Sequence, residues 1–214
     1  MKEPFVILEN LIRRYPILEE CEEDIRRAYD ALVDCFSKGG KVLICGNGGS
    51  AADAEHMVGE LMKGFLKKRE LSQAMKDRLE QLHPDMGSYM GEKLQGALPA
   101  IALTTHTALA TAFSNDVDAN LIYAQQVLGY GKKGDLLIGF STSGNAKNVL
   151  YAFHMARALD MTTIGFTGKT GGSMKETAEI SICVPELATP NIQELHLPVY
   201  HALCAMVEDF FFDR

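Results

Sequence analysis

No apolar run in this 214-residue chain approaches the ~18 residues that a membrane-spanning helix needs, so no crossing of a bilayer is expected. The first sixteen residues, MKEPFVILENLIRRYP, lack the apolar core of a secretory signal, and the expected location is cytoplasmic. Basic residues are in deficit. Lys and Arg number 21 against 28 Asp and Glu, and the net charge of −7 argues against a nucleic-acid backbone as the main ligand. The five cysteines (Cys21, Cys35, Cys45, Cys183 and Cys204) include no CxxC pair and are odd in number. Most lie in apolar stretches, so they read as buried free thiols rather than as disulfides or a zinc finger. What is present is an ordinary globular composition, 47% hydrophobic and 23% charged, on a chain long enough for one well-buried domain.

Short apolar runs alternate with helical stretches. The runs are Val42–Cys45, Leu98–Leu103, Leu136–Phe140, Thr162–Phe166 and Ile180–Val184; they are rich in Val, Ile and Leu and do not alternate with polar residues, as in strands buried on both faces. Helices are predicted between them over 51–65, 120–128, 145–159 and 172–177. The expected fold is α/β, a doubly wound five-stranded parallel sheet flanked by helices. Two N-terminal helices within residues 1–38 precede the sheet, the second ended by Gly39-Gly40, and a long apolar helix over 191–212 follows it. Residues 66–96 are rich in Lys, Glu, Gln and Met. They read as an insertion between the first and second strands of a single domain, with a surface helix over 70–82.

Two glycine-containing loops follow predicted strands. Gly46-Asn47-Gly48-Gly49-Ser50 opens a helix, and free N–H groups at a helix start favour an anion. The string fits G-x-G-x-x-A, but that fingerprint needs an acidic residue at the end of the next strand, where Thr104-Thr105 stand instead. No nucleotide cofactor is expected. Ser141-Thr142-Ser143-Gly144-Asn145 is the stronger phosphate cradle: capping needs one such residue, and here four of five carry a side-chain hydroxyl or amide. Thr167-Gly168-Lys169-Thr170 suggests a Walker loop, but position 163 is Thr where that loop needs Gly. Both strong loops lie at carboxyl ends of strands, where parallel sheets bind ligands, and a small phosphorylated metabolite is the expected partner.

His56 and Glu60 share a helix face, and the late segment PNIQELHLPVYH supplies Gln193, His196 and His201. A single histidine is more often structural than catalytic, and spacing alone leaves that choice open.

The chain resembles the SIS (sugar isomerase) domain family, and within it the phosphoheptose isomerases. The matching stretches are CGNGGSAADAEH at 45–56, SND at 114–116, STSGN at 141–145, TGKTGG at 167–172 and IQELH at 192–196. The resemblance implies an aldose–ketose isomerase that converts sedoheptulose 7-phosphate to D-glycero-D-manno-heptose 7-phosphate through a cis-enediol. By position, Glu60 would be the general base and His201 its acid/base partner. Phosphate would lie on Ser141, Ser143 and neighbours including Asn145, with Asn47, Gly48, Gly49, Ser50, Asp116, Thr142 and Gln193 around the rest of the substrate. Some members carry zinc on residues matching His56, Glu60, Gln193 and His201, donors that suit that ion.

Gln193 and His201 are eight apart, about 12 Å along one helix. One of them is therefore expected to reach the site from a neighbouring subunit of a homotetramer. Three departures from the family pattern bear on which sugar is bound: Ala146 where a serine is common, Pro190-Asn191 where a sugar-contacting pair is common, and the long 66–96 insertion. The alternatives are an isomerase of another phosphosugar and a non-catalytic relative that binds the replication initiator. That relative lacks residues matching Glu60 and His201, and this chain has both.

Overall fold

The computed structural model describes residues 3–212; positions 1–2 and 213–214 of the expected domain lie outside the described residues. In chain order the elements are α1 (Glu3–Arg14), a 3-10 turn (Pro16–Cys21), α2 (Glu22–Ser37), β1 (Val42–Cys45), α3 (Gly49–Met62), α4 (Gln73–Leu82) and α5 (Gly87–Lys93). There follow β2 (Ala100–Ala102), α6 (Thr107–Phe113), α7 (Ile122–Tyr130), β3 (Leu136–Phe140), α8 (Lys147–Ala158), β4 (Thr162–Thr167), α9 (Met174–Thr177), β5 (Ile180–Cys183) and α10 (Thr189–Phe212).

All strand pairs are parallel, in the order β2-β1-β3-β4-β5. Each of the five expected strands is present. β1 and β3 are buried at every position, because helices cover both faces of the sheet. Successive residues feed opposite cores. Val42, Ile44, Leu136, Ile138 and Phe140 pack with Leu8, Ile25, Leu32, Met57 and Leu203 of α1, α2, α3 and α10. Leu43, Cys45 and Leu137 pack with Val127 and Phe153 of α7 and α8 on the other side.

This order sets the position of the site. From β1 the chain turns to β2 on one side, then crosses back to β3 on the other. The loops leaving β1 and β3 therefore diverge, and a crevice opens between them at the carboxyl ends of the strands.

α3 stops at Met62, three residues before the expected end. The N–H groups of Phe65, Leu66 and Lys67 donate instead to the carboxylate of Glu208 on α10, at 2.8, 2.7 and 3.1 Å. The inserted segment continues as α4 and α5, and α4 has no buried residue. Its root is buried, however: Arg69 is 1% exposed and donates from Nε to Glu208 at 2.7 Å. Helix α6, not expected from the sequence, also buries none of its residues, so it carries no apolar periodicity to read. Among the described residues no helix is long and apolar enough to cross a membrane.

Candidate active site

The first part of the site is a cleft of about 310 Å³ between the two strong loops, lined by Asn47, Gly49, Ser50, Ser141, Thr142, Ser143, Ala146, Thr189 and Gln193 with Phe140 at its base. The β3 loop turns sharply at Gly144, whose φ is +67°. A Cβ there would lie 1.9 Å from the Gly171 carbonyl oxygen, so the cradle is seated directly on the TGKTGG turn. Ser141 Oγ accepts from Ala146 N–H at 3.4 Å and Ser143 Oγ from Asn145 N–H at 3.2 Å. None of the loop's backbone hydrogen bonds uses the N–H of Thr142 or Ser143. Two free N–H groups beside three hydroxyls make an anion-binding surface.

The β1 loop is stitched to α8 by a reciprocal amide pair, Asn47 Nδ2 to Asn148 Oδ1 at 2.9 Å and Asn148 Nδ2 to Asn47 Oδ1 at 2.8 Å. The buried Tyr123 hydroxyl donates to Gly46 O at 2.5 Å. Gly49 lets the Gln193 amide lie against the helix start: a Cβ on it would sit 2.5 Å from Gln193 Nε2 and push that side chain aside.

The second part lies further along α3. Gly49, Asp53, His56 and Glu60 recur at the spacing of one helix face, and α10 packs along that face in parallel. Gln193 meets Gly49, and Tyr200 and His201 meet Asp53 and His56. His56 Nε2 is 3.3 Å from Glu60 Oε1 and 3.4 Å from His201 Nε2; Glu60 Oε2 also receives Lys63 Nζ at 3.0 Å. Burial lowers the pKa of His201 from its ordinary value, and the neighbouring His56 adds to that, against the pull of Glu60. The His201 imidazole is thereby favoured in its neutral form. His196 is fully buried against Phe140 and Phe166, with Nε2 3.2 Å from the Thr167 carbonyl; burial lowers its pKa to about 4, so it is a neutral core residue.

His56, Glu60 and His201 of one chain thus come together, while Gln193 rests on Gly49, about 10 Å back along α3 from His56. The separation expected between Gln193 and His201 is present, and His201 meets His56 without help from a neighbour. The two spacings at His56 Nε2 match the ligand–ligand edge of a tetrahedral zinc site, about 3.3 Å. Among the described residues, however, no group of three or more His, Cys, Asp or Glu side chains is arranged to hold a metal ion. The donor chemistry fits zinc, but within one chain neither His56, Glu60 and His201 nor the set with Gln193 is closed around a single ion.

Asn145 and Gly48 do not line the cleft. The Asn145 amide is turned to Ser143 O at 2.9 Å and to Ser173 at 3.0 Å, which ties the cradle to the start of α9. Asp116 is exposed on a π-type turn over Ser114–Asp118, its carboxylate accepting from Asn115 Nδ2 at 2.8 Å. Sequence reading missed Asn148, Tyr123, Asp53, Tyr200 and Thr189. Asn148 had a local signal, lying three residues past the STSGN stretch, and so had Asp53, inside the matched stretch 45–56 and three residues before His56; Tyr123, Tyr200 and Thr189 had none.

An open parallel sheet with a serine cradle at its switch point, and carboxylate and imidazole groups beyond it, defines an α/β domain with an anion-binding crevice beside an acid/base cluster. The chain belongs to the SIS domain family, whose model matches residues 9–76 and 76–168. A phosphoheptose isomerase of Desulfovibrio desulfuricans is 41% identical over 180 residues, covering 84% of this chain and 73% of that protein. A phosphoheptose isomerase of Rhodospirillum rubrum is 40% identical over 192 residues, 90% of this chain and 88% of that one. The structure of a phosphoheptose isomerase from Neisseria gonorrhoeae superposes with a TM-score of 0.73 at 32% identity, covering 94% of each chain.

Proposed function

We infer that the chain is an aldose–ketose isomerase of a sugar phosphate, interconverting sedoheptulose 7-phosphate and D-glycero-D-manno-heptose 7-phosphate through a cis-enediol. The observation that carries this reading is the shared face of α3. It begins in the phosphate cleft at Gly49 and ends at the His56–Glu60–His201 cluster. Ser50 and His56 are about 9 Å apart along the helix axis, a span that a phosphorylated seven-carbon chain bridges. The similarity to phosphoheptose isomerases over most of the chain supports the same substrate.

In this reading the serine cradle holds the phosphate, and Asn47, Ser50, Thr142 and Gln193 hold hydroxyls of the sugar. Glu60 takes a proton from the carbon beside the carbonyl and returns one to the former carbonyl carbon, and neutral His201 moves a proton between the two oxygens. Zinc on His56, Glu60 and His201, with Gln193 from a neighbouring subunit, belongs to the same proposal. Such an ion supplies polarisation of the carbonyl oxygen. The assembly is a homotetramer in the cytoplasm. A groove of about 370 Å³, lined by Leu11, Tyr15, Phe65, Leu197 and Ala205 and reaching His201, offers apolar surface for a second subunit beside the site.

Incubation with sedoheptulose 7-phosphate, with formation of the aldose followed by NMR, tests the activity. Parallel reactions with C5 and C6 ketose phosphates test the sugar. Turnover fastest with the C7 substrate is expected; tight binding of these phosphates without turnover of any would refute the enzyme reading.

A further inference from the structure

Tyr200 is fully buried on α10, and its hydroxyl stands between two groups of α3, Asp53 Oδ1 at 3.3 Å and His56 Nδ1 at 3.0 Å. Across the same imidazole, His56 Nε2 faces His201 Nε2 and Glu60. Asp53 Oδ2 is buried and has no hydrogen-bond partner. Among the described residues, Tyr200 is the one group that hydrogen-bonds the Asp53 carboxylate.

A phenol has a single proton to donate. Donated to His56 Nδ1, it would leave both oxygens of the half-buried Asp53 without a partner from the protein, Oδ2 being fully buried, at a desolvation cost. Donated to Asp53 Oδ1, it satisfies that oxygen, and the phenol oxygen accepts from a proton on His56 Nδ1. Nε2 of His56 then carries a lone pair, and that lone pair accepts from the Nε2–H of His201 at 3.4 Å. This direction pairs every residue in the row His201–His56–Tyr200–Asp53. The opposite tautomer would instead offer Nε2–H to Glu60 Oε1 at 3.3 Å, but Glu60 keeps Lys63 Nζ on Oε2 at 3.0 Å, whereas Asp53 has, among the described residues, no partner besides Tyr200.

We propose that Tyr200 and Asp53 are positioning residues that hold His56 as its Nδ1–H tautomer, turning the Nε2 lone pair toward Glu60 and His201. This deepens the isomerase reading and rests on it for its consequence alone, since the tautomer is a property of the free protein. The consequence is twofold. The His201 ring is oriented by the lone pair that accepts its proton. The same lone pair is what an imidazole must present to a cation, and partners on the far nitrogen are the usual means of presenting it.

The test is a ¹H–¹⁵N correlation spectrum of the full-length protein with ¹⁵N-labelled histidine. It is recorded at about pH 8, above the ordinary histidine range. His56 is assigned by the loss of its signals in His56→Gln. In the wild type, His56 should show a protonated Nδ1 and an unprotonated Nε2. Tyr200→Phe keeps the buried ring and removes one oxygen. It should convert His56 to the Nε2–H form or a mixture, and lower kcat about tenfold or more with KM held within about twofold. Asp53→Asn can donate to the phenol as well as accept from it, so it should also yield a mixture, and it serves if Tyr200→Phe does not fold. The proposal is overturned if wild-type His56 is protonated on Nε2 or if its tautomer is unchanged in the variants. It is also overturned if the tautomer changes while kcat does not. A wild type with the expected tautomer and no turnover of any ketose phosphate would defeat the isomerase reading and leave this assignment standing.

Discussion

Replacing Arg69 should damage the protein more than any other single change in the inserted segment. Its guanidinium donates from Nε to Glu208 at 2.7 Å, to Leu61 O at 2.6 Å and to Glu60 O at 2.9 Å, and lies 4.8 Å from the centre of the Phe212 ring. It thus closes the last turn of the helix that carries Glu60 and joins it to α10. Burial alone would raise the Glu208 carboxyl pKa; the backbone N–H groups of Phe65 and Leu66 and the Arg69 cation outweigh it, and the net shift is downward. Arg69→Ala takes the guanidinium from a carboxylate that is 1% exposed and removes the donor to the Glu60 carbonyl, while the Leu61 carbonyl keeps the Leu98 N–H at 3.0 Å. Breaking a buried pair in this way costs about 3–5 kcal/mol. Arg69→Lys keeps the charge but not the fork of donors, and should cost about half as much. Urea unfolding at fixed protein concentration gives the midpoints, and a cycle with Glu208→Gln should show coupling of about 1–3 kcal/mol. Arg69→Ala destabilised by less than about 1 kcal/mol, or an additive cycle, would refute this account of the insertion's root.

Two further outcomes follow from the geometry. The folded-state pKa of His196 is depressed, so the unfolded chain binds a proton that the folded chain refuses as pH falls from 6.5 to about 4. Its contribution is intact above pH 6.5 and is lost through that window, roughly 3 kcal/mol in all. Urea midpoints across the window should fall in the wild type and fall less in His196→Gln; equal slopes would remove His196 as the cause. Gly144→Ala places a Cβ 1.9 Å from Gly171 O at a φ of +67°, so the cradle must shift. Phosphosugar affinity, read by calorimetry, should drop at least tenfold, and unchanged affinity would separate the phosphate from this loop.

The sheet could be read from the sequence because parallel strands buried on both faces leave unbroken Val, Ile and Leu runs, and all five were found near their true limits. The two loops could be read because glycine and serine at a strand end have few other uses. His56, Glu60 and His201 came from the family resemblance, and their meeting depends on α3 and α10 packing in parallel, which helical spacing within either segment does not reveal. Tyr200 was hidden in a 24-residue apolar helix, where a tyrosine reads as core; its hydroxyl partners lie 147 and 144 positions away. Arg69 was hidden in a lysine- and glutamate-rich stretch that reads as solvated, and its burial depends on a glutamate 139 positions later.

The most direct measurement of the central claim is conversion of sedoheptulose 7-phosphate in D₂O by the wild type and by Glu60→Gln, with binding of the same sugar measured on both. The account predicts aldose phosphate with solvent deuterium at C2 from the wild type. Glu60→Gln should give neither aldose nor exchange while its affinity stays within about threefold. Exchange and turnover at wild-type rate in Glu60→Gln would contradict it.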